Sequence, residues 1–485
     1  LNIINYKLLN FLNLLSKEDL TEFKKFICSP IYSLGRNYLP MLEELIKYKN
    51  ADADKISATD LYNAVYPGKK YSGQTLKNRF SELLKLGEEY IIYKGVKNDI
   101  VERDSILTKA YLENRMFKFY ESKFKKALSY LELQKTDDKK FADIYSLNLR
   151  NLWYLNETEK FDKYFTNIYD HSIYSVSMSL ISLFDYGIEF LQQVNLNRKY
   201  DHNIVLNIVR KIKYEDIFDK KGINESEILN VVKLYYYLFN AFDNLEQESF
   251  YFEARKVFNK ISASFSDSYK YKFYMIFIYF CTRMQNLGRK EYHAELFKLY
   301  NEKLDNGLIT DFTENIFPVN NFRDYVFIGI EMGKPDWVIN FIKKYSGYLP
   351  KKNRENETNL SYSRVSSYLG DYRKALEYVL KVKPYNYMHY LDASVAKLIS
   401  YYELDMEEEA FLEIDKLIHY VKSHREISKI HKIYNKNFIK IYSKLLKIKF
   451  NPSKKEIVIL EGEFKELKFV TKRDWIREKI NLLKK

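Results

Sequence analysis

Between Pro67 and Pro318 the chain carries no proline. A proline ring removes a backbone donor and breaks a helix, and turns between strands draw on Pro and Gly. A sheet-rich chain of this length would need far more turn chemistry than eight Pro and 14 Gly provide. Few breakers combined with long periodic apolar runs read as helices joined by short loops. Ile228, Val231, Val232, Tyr235, Leu238, Phe239 and Phe242 keep one helical stripe, as do Ala254, Val257, Phe258, Ile261 and Phe265. Tyr372, Ala375, Leu376, Val379 and Leu380 repeat the spacing, and so do Phe438, Ile441, Tyr442, Leu445 and Leu446. Glu456–Leu460 is the one strand-like run; it is short and stands among helical signals, so no sheet is expected from it. The expected fold class is all-α.

The stretch Ser367–Val382, SYLGDYRKALEYVLKV, shows how the helices meet. Gly370 can take the left-handed conformation that stops a helix. Asp371 can accept the free N–H groups at the start of the next helix. Tyr372 opens that helix, and Ala375 is small enough to let two antiparallel helices approach closely. The unit is a helix hairpin, amphipathic on two sides, built to stack on copies of itself.

Ser363, Gly370, Asp371, Tyr372, Ala375, Val379 and Val382 give this hairpin the small, turn, aromatic and apolar positions of a tetratricopeptide repeat, which it resembles. A second copy, YYELDMEEEAFLEIDKL, holds Tyr401, Tyr402, Ala410 and Ile414, with Leu404 read in place of the glycine. Ala375 and Ala410 are 35 residues apart, close to the repeat period of ~34. Fainter echoes surround Ala127, Ala254 and Trp337. Over a longer span, FRDYVFIGIEMGKPDWVINFIKKYSGYLP, FKKFICSPIYS, LYNAVYPGKKYSGQTLKNRFSELLKL and VTKRDWIREKI look like segments of a group of uncharacterised bacterial helical-repeat proteins. That resemblance implies a TPR-like α-solenoid and carries no activity or functional residue. The expected organisation is an N-terminal helical module over 1–100, with a soft boundary in the polar stretch Lys94–Ser105, followed by a repeat array over 101–485 that is clearest at 322–421.

A net charge of +14 raises the question of nucleic acid. Acids and bases are interleaved rather than blocked, so the lysines read mainly as solvated helix faces. Two isolated cysteines, Cys28 and Cys281, neither staple a secreted scaffold nor form a zinc site. Cys28 is expected to pack at a helix end before Pro30. The opening residues lack the features of a signal peptide, and no apolar run reaches the ~18 residues of a membrane span. A cytoplasmic protein without membrane contact is expected.

Residues 56–86 have a helix-turn-helix outline, with Leu61 and Val65 in the first helix and Leu76, Phe80, Leu83 and Leu84 buried by the second. Its outer face would carry Lys77, Asn78, Ser81 and Lys85, with Lys69 and Lys70 placed for phosphate. An ordinary helix pair with a solvated lysine face gives the same outline. Pro67–Gly73 lacks phosphate-loop spacing. His419, His424 and His431 are spaced five and seven apart, off any shared i, i+4 face. No nucleophile motif occurs, and no cofactor or metal is called for. The expected function is a non-catalytic scaffold or adaptor that binds a protein or peptide, of acidic character, on the inner face of the array. The alternative is a transcriptional regulator with an N-terminal helix-turn-helix and a sensing repeat domain.

Overall fold

The computed structural model describes residues 6–33, 35–50, 56–193, 203–218, 226–310 and 316–484. Among them are twenty-five α-helices and no strand, so the protein is all-α. Residues 456–460, apolar as a strand, lie within a helix, Lys454–Glu466. The chain forms two compact units: Leu1–Ser182 with Asn224–Val232, and Leu183–Ile223 with Lys233–Lys485.

In the first unit, α1 (Tyr6–Leu14), α2 (Lys17–Ile27), α3 (Pro30–Ser33), α4 (Leu39–Lys47), α5 (Ala58–Val65) and α6 (Gly73–Asn98) surround one core that includes Leu12, Phe23, Leu42, Leu61, Phe80 and Tyr90. Ser16 and Asp19 start α2 with a reciprocal capping box. At Gly87 a Cβ would lie 2.5 Å from the Phe11 ring, so glycine is what lets α1 lie against α6. In Lys94–Ser105 the helix is interrupted only at Asp99, which ends α6 and caps α7 (Ile100–Glu113) through Glu102 N. Next come α8 (Phe117–Leu133), α9 (Asp138–Glu157) and α10 (Phe161–Gln193). Consecutive helices α7, α8 and α9 pack in order, and α7 also touches α9.

Along the chain follow α11 (Ile204–Val209), α12 (Tyr214–Phe218), α13 (Glu227–Asp243), α14 (Ser249–Ile261), α15 (Asp267–Asn286) and α16 (Tyr292–Asp305). Then come α17 (Val319–Glu331), α18 (Pro335–Tyr345), α19 (Lys351–Tyr368), α20 (Tyr372–Leu380) and α21 (Tyr387–Glu403). Last are α22 (Glu407–Ser423), α23 (Lys429–Phe450), α24 (Lys454–Glu466) and α25 (Arg473–Leu483). From α15 to α25 every helix packs on its successor in sequence. Contacts also skip one helix, joining α17 to α19, α19 to α21 and α23 to α25.

Among the described residues six helix-to-helix turns share one backbone design. A left-handed residue ends the helix: Arg115, Glu159, Gly288, Gly333, Gly370 or Asp405. The next N–H donates to the carbonyl five residues back, as from Asp371 to Ser366 at 2.9 Å and from Met406 to Tyr401 at 2.9 Å. In the second sequence copy the left-handed position therefore belongs to Asp405 (φ 59°), while Leu404 keeps φ −96°. Five residues after the left-handed residue, two of these hairpins place a fully buried alanine, Ala375 and Ala410, and Ser363 Oγ donates to the Ala375 carbonyl at 2.8 Å. In the α17–α18 hairpin that position holds Val338, and the space is made opposite it by Gly329, where a Cβ would clash with Val338 Cγ2 and sit 3.0 Å from the Trp337 ring.

Candidate functional site

Alternate helices α17, α19 and α21 place polar residues on one shared side. Arg323, on α17, donates two hydrogen bonds to Glu357 of α19, at 2.7 and 2.6 Å. Glu357 is fully buried and also accepts the Tyr385 hydroxyl at 2.6 Å. His389 of α21, fully buried, brings Nε2 to 3.4 Å of the same carboxylate without a hydrogen bond. Burial alone would raise the Glu357 pKa, but the Arg323 and Tyr385 bonds overcome it and hold it below the ordinary value. Burial pushes His389 down against the pull of Glu357, so its neutral form is favoured. The three residues are spaced 34 and 32 apart in sequence, about one repeat each. That periodic placement of polar side chains was the available signal, and reading for apolar stripes missed it.

Beside this network runs a groove of about 590 Å³, lined by α17, α19, α21 and the start of α25. Its apolar wall includes Phe327, Val395, Ile399 and Trp475, and its charged members include Arg364 and Lys472. Trp475 Nε1 donates to Glu403 of α21 at 2.7 Å, and Lys479 reaches the same carboxylate at 2.7 Å. These bonds and the contact of Trp475 with Tyr402 fix α25 as one wall. Such a surface can hold an extended segment by apolar contact and anchor it at a few charges.

A second cavity, about 690 Å³, is lined by residues of α10, α15, α16 and α17, among them Asp185, Glu189, Asp324 and Glu331. Behind its wall lies Lys303, fully buried, its ammonium 4.2 Å from the Tyr271 ring and 3.8 Å from Met275 Sδ. Burial brings the Lys303 pKa down to about 8 and raises that of Asp324 to about 6.

The positions singled out in the sequence fall as follows. Gly370 has φ 77°, Asp371 Oδ1 accepts from Lys374 N at 3.1 Å, and Tyr372 opens α20. Lys69, Lys70, Lys77, Asn78 and Lys85 are all exposed. The last three lie on α6, which at 26 residues continues well beyond them, and Asn78 accepts from Gln74 at 2.9 Å. Cys28 does sit at a helix end but is exposed rather than packed, because its residue is the C-cap of α2 and faces outward. Cys281 is buried 3.3 Å from the Tyr251 hydroxyl, and burial raises its pKa to about 12, so it is an inert thiol at neutral pH. Among the described residues no cluster of three or more His, Cys, Asp or Glu is arranged to hold a metal ion. No helix among them is long and apolar enough to cross a membrane.

No protein-family model matches the chain, no curated protein matches it, and no solved structure matches it.

Proposed function

We propose that this protein is a non-catalytic scaffold or adaptor that holds a protein or peptide partner on the inner face of a TPR-like helical array, in the cytoplasm. The observation that carries the reading is the groove shared by α17, α19 and α21 and bounded by α25. The repeated left-handed turns and the contacts between alternate helices support a solenoid, in which one helix of each hairpin lines a continuous surface. Interleaved lysines would steer an acidic partner toward that surface. The Arg323–Glu357–Tyr385 network spends its charges internally, which suits a rigid wall better than proton transfer. In this reading the array is preceded by an N-terminal helical module, and the chain resembles uncharacterised bacterial helical-repeat proteins.

The test is retention of partners by the tagged full chain, with and without nuclease, read by mass spectrometry. Ser367→Trp, which fills the groove from α19, should abolish retention of a nuclease-resistant partner. Leu412→Trp, at an exposed side chain on α22, should leave it intact. Equal retention by both variants would count against the groove. The regulator reading draws on the exposed row Lys69, Lys70, Lys77, Asn78 and Lys85. It requires sequence-specific, salt-dependent DNA binding that Lys77→Ala with Lys85→Ala removes. Absence of DNA binding at low salt would exclude it.

A further inference from the structure

Helix α23 carries seven lysines and no acid between Lys429 and Phe450, in a chain whose net charge is +14. Lys429, Lys432, Lys436, Lys440, Lys444 and Lys447 follow one another at steps of three and four, so they share one face. At 1.5 Å per residue that row is about 27 Å long. Glu463 of α24 pairs with Lys440 and Lys444, and Asp405 pairs with Lys449. Lys429, Lys432, Lys436 and Lys447 have no ion pair among the described residues.

Large apolar side chains stand out among these lysines. Ile430 and Ile433 are each 46% exposed. One turn further along α23, the Tyr434 ring lies 5.4 Å from that of Phe469, and Asn437 Nδ2 donates to the Phe469 carbonyl at 2.8 Å. Those contacts hold Phe469, 44% exposed on the α24–α25 loop, on the same side of α23 as the two isoleucines, with exposed Lys468 next to it. The acids nearest in sequence, Glu426 and Glu466, are exposed at the edges. Glu426 follows Arg425, and Glu466 stands between Lys465 and Lys468 in the chain, so neither edge is net acidic.

We propose that this face docks on an anionic lipid bilayer, with the lysines among the phosphate headgroups and Ile430, Ile433 and Phe469 at the boundary with the acyl chains. Such docking needs no helix that spans the membrane. A lysine ammonium is a point charge on a flexible stem, and it gathers mobile lipid headgroups without matched geometry. Nucleic acid would satisfy the lysines and leave the isoleucines in water, and the row has no arginine to fork a phosphate. An acidic protein would need a carboxylate placed for each unpaired ammonium. No residue of this face lines the groove, and the inference does not depend on that reading.

The test is flotation of the full chain with phosphatidylcholine vesicles, with and without about 30% phosphatidylglycerol. Anionic vesicles should carry the protein at low salt, neutral vesicles should not, and added salt should weaken the binding. Lys429→Gln with Lys432→Gln and Lys436→Gln should lower the affinity at least about tenfold. Lys69→Gln with Lys70→Gln and Lys77→Gln makes the same charge change elsewhere and should leave it within about twofold. Ile430→Ser with Ile433→Ser keeps every charge and should lower it about tenfold. In a Cys28→Ser background, an environment-sensitive dye on Ile433→Cys should shift to the blue on anionic vesicles. The same dye on Leu369→Cys, exposed in the α19–α20 turn, should not, and this pair decides the matter if a lysine triple fails to fold. Equal losses in the two lysine triples, or equal dye shifts at both positions, would reduce the binding to net charge and overturn the site. Binding to an oligonucleotide or to polyglutamate that the α23 triple weakens, without binding to anionic vesicles, would overturn the lipid assignment.

Discussion

Glu357 shows how one residue can tie three helices. It is fully buried and bonded by Arg323 and Tyr385, so removing its charge strands a guanidinium in the interior. Glu357→Gln should cost about 3–5 kcal/mol in urea unfolding, whereas replacing Arg323 and Glu357 together by Met and Leu should restore much of it. The pH sign follows from two depressed pKa values. His389 and Glu357 bind protons less readily folded than unfolded. Stability should therefore be full near neutral pH, fall first below the ordinary His value of 6.5 as the unfolded chain takes up a proton, and fall again below the ordinary Glu value of 4.5. His389→Phe should flatten the first part of that decline. Lys303 follows the same rule as His389: burial brings its folded pKa to about 8, so its protonated form is disfavoured by folding. Lys303→Met should raise the urea midpoint at pH 7, and the advantage should shrink as pH climbs from about 8 toward the unfolded Lys value of 10.5. An unchanged or lowered midpoint at pH 7 would contradict this account of Lys303.

At the scale of the helix and its turn, the hairpin at Gly370 was legible because glycine, a capping aspartate and alanine occur together. The turns at Arg115, Glu159 and Asp405 use the same backbone without glycine, so their sequences give no sign of it. A left-handed L-residue costs about 1–2 kcal/mol, and Gly carries an entropic penalty of about 0.5–1. Arg115→Gly should therefore leave stability unchanged or raise it by up to ~1 kcal/mol, while Gly370→Ala should lower it. Asp371→Ala should cost about 1 kcal/mol through the lost cap. Gly329→Ala, a position the apolar pattern did not flag, should cost about 1–3 kcal/mol because Val338 and Trp337 leave no room. Chemical unfolding of these variants checks all four. The strand-like apolar run at 456–460 became helix because Ile457 and Leu460 bury one face of α24 while Val458 and Ile459 are exposed.

For the whole molecule, the all-helical content was readable from periodicity, since apolar stripes record which face each helix buries. The groove was not. It is made by Arg364, Asp392, Trp475 and their neighbours, which lie on separate helices and meet only once those helices pack. Likewise Glu403 of α21 meets Trp475 across 72 residues. The central claim is that partners bind where these helices converge, and it can be tested by position. A photo-reactive phenylalanine analogue placed at Tyr368, half exposed on the groove wall, is compared with the same group at Leu380, equally exposed on α20 outside this groove. Cross-links mapped by mass spectrometry should join a partner to position 368, not to 380, and should disappear in Ser367→Trp. Partners joined only at position 380, or at both positions regardless of Ser367→Trp, would contradict the account.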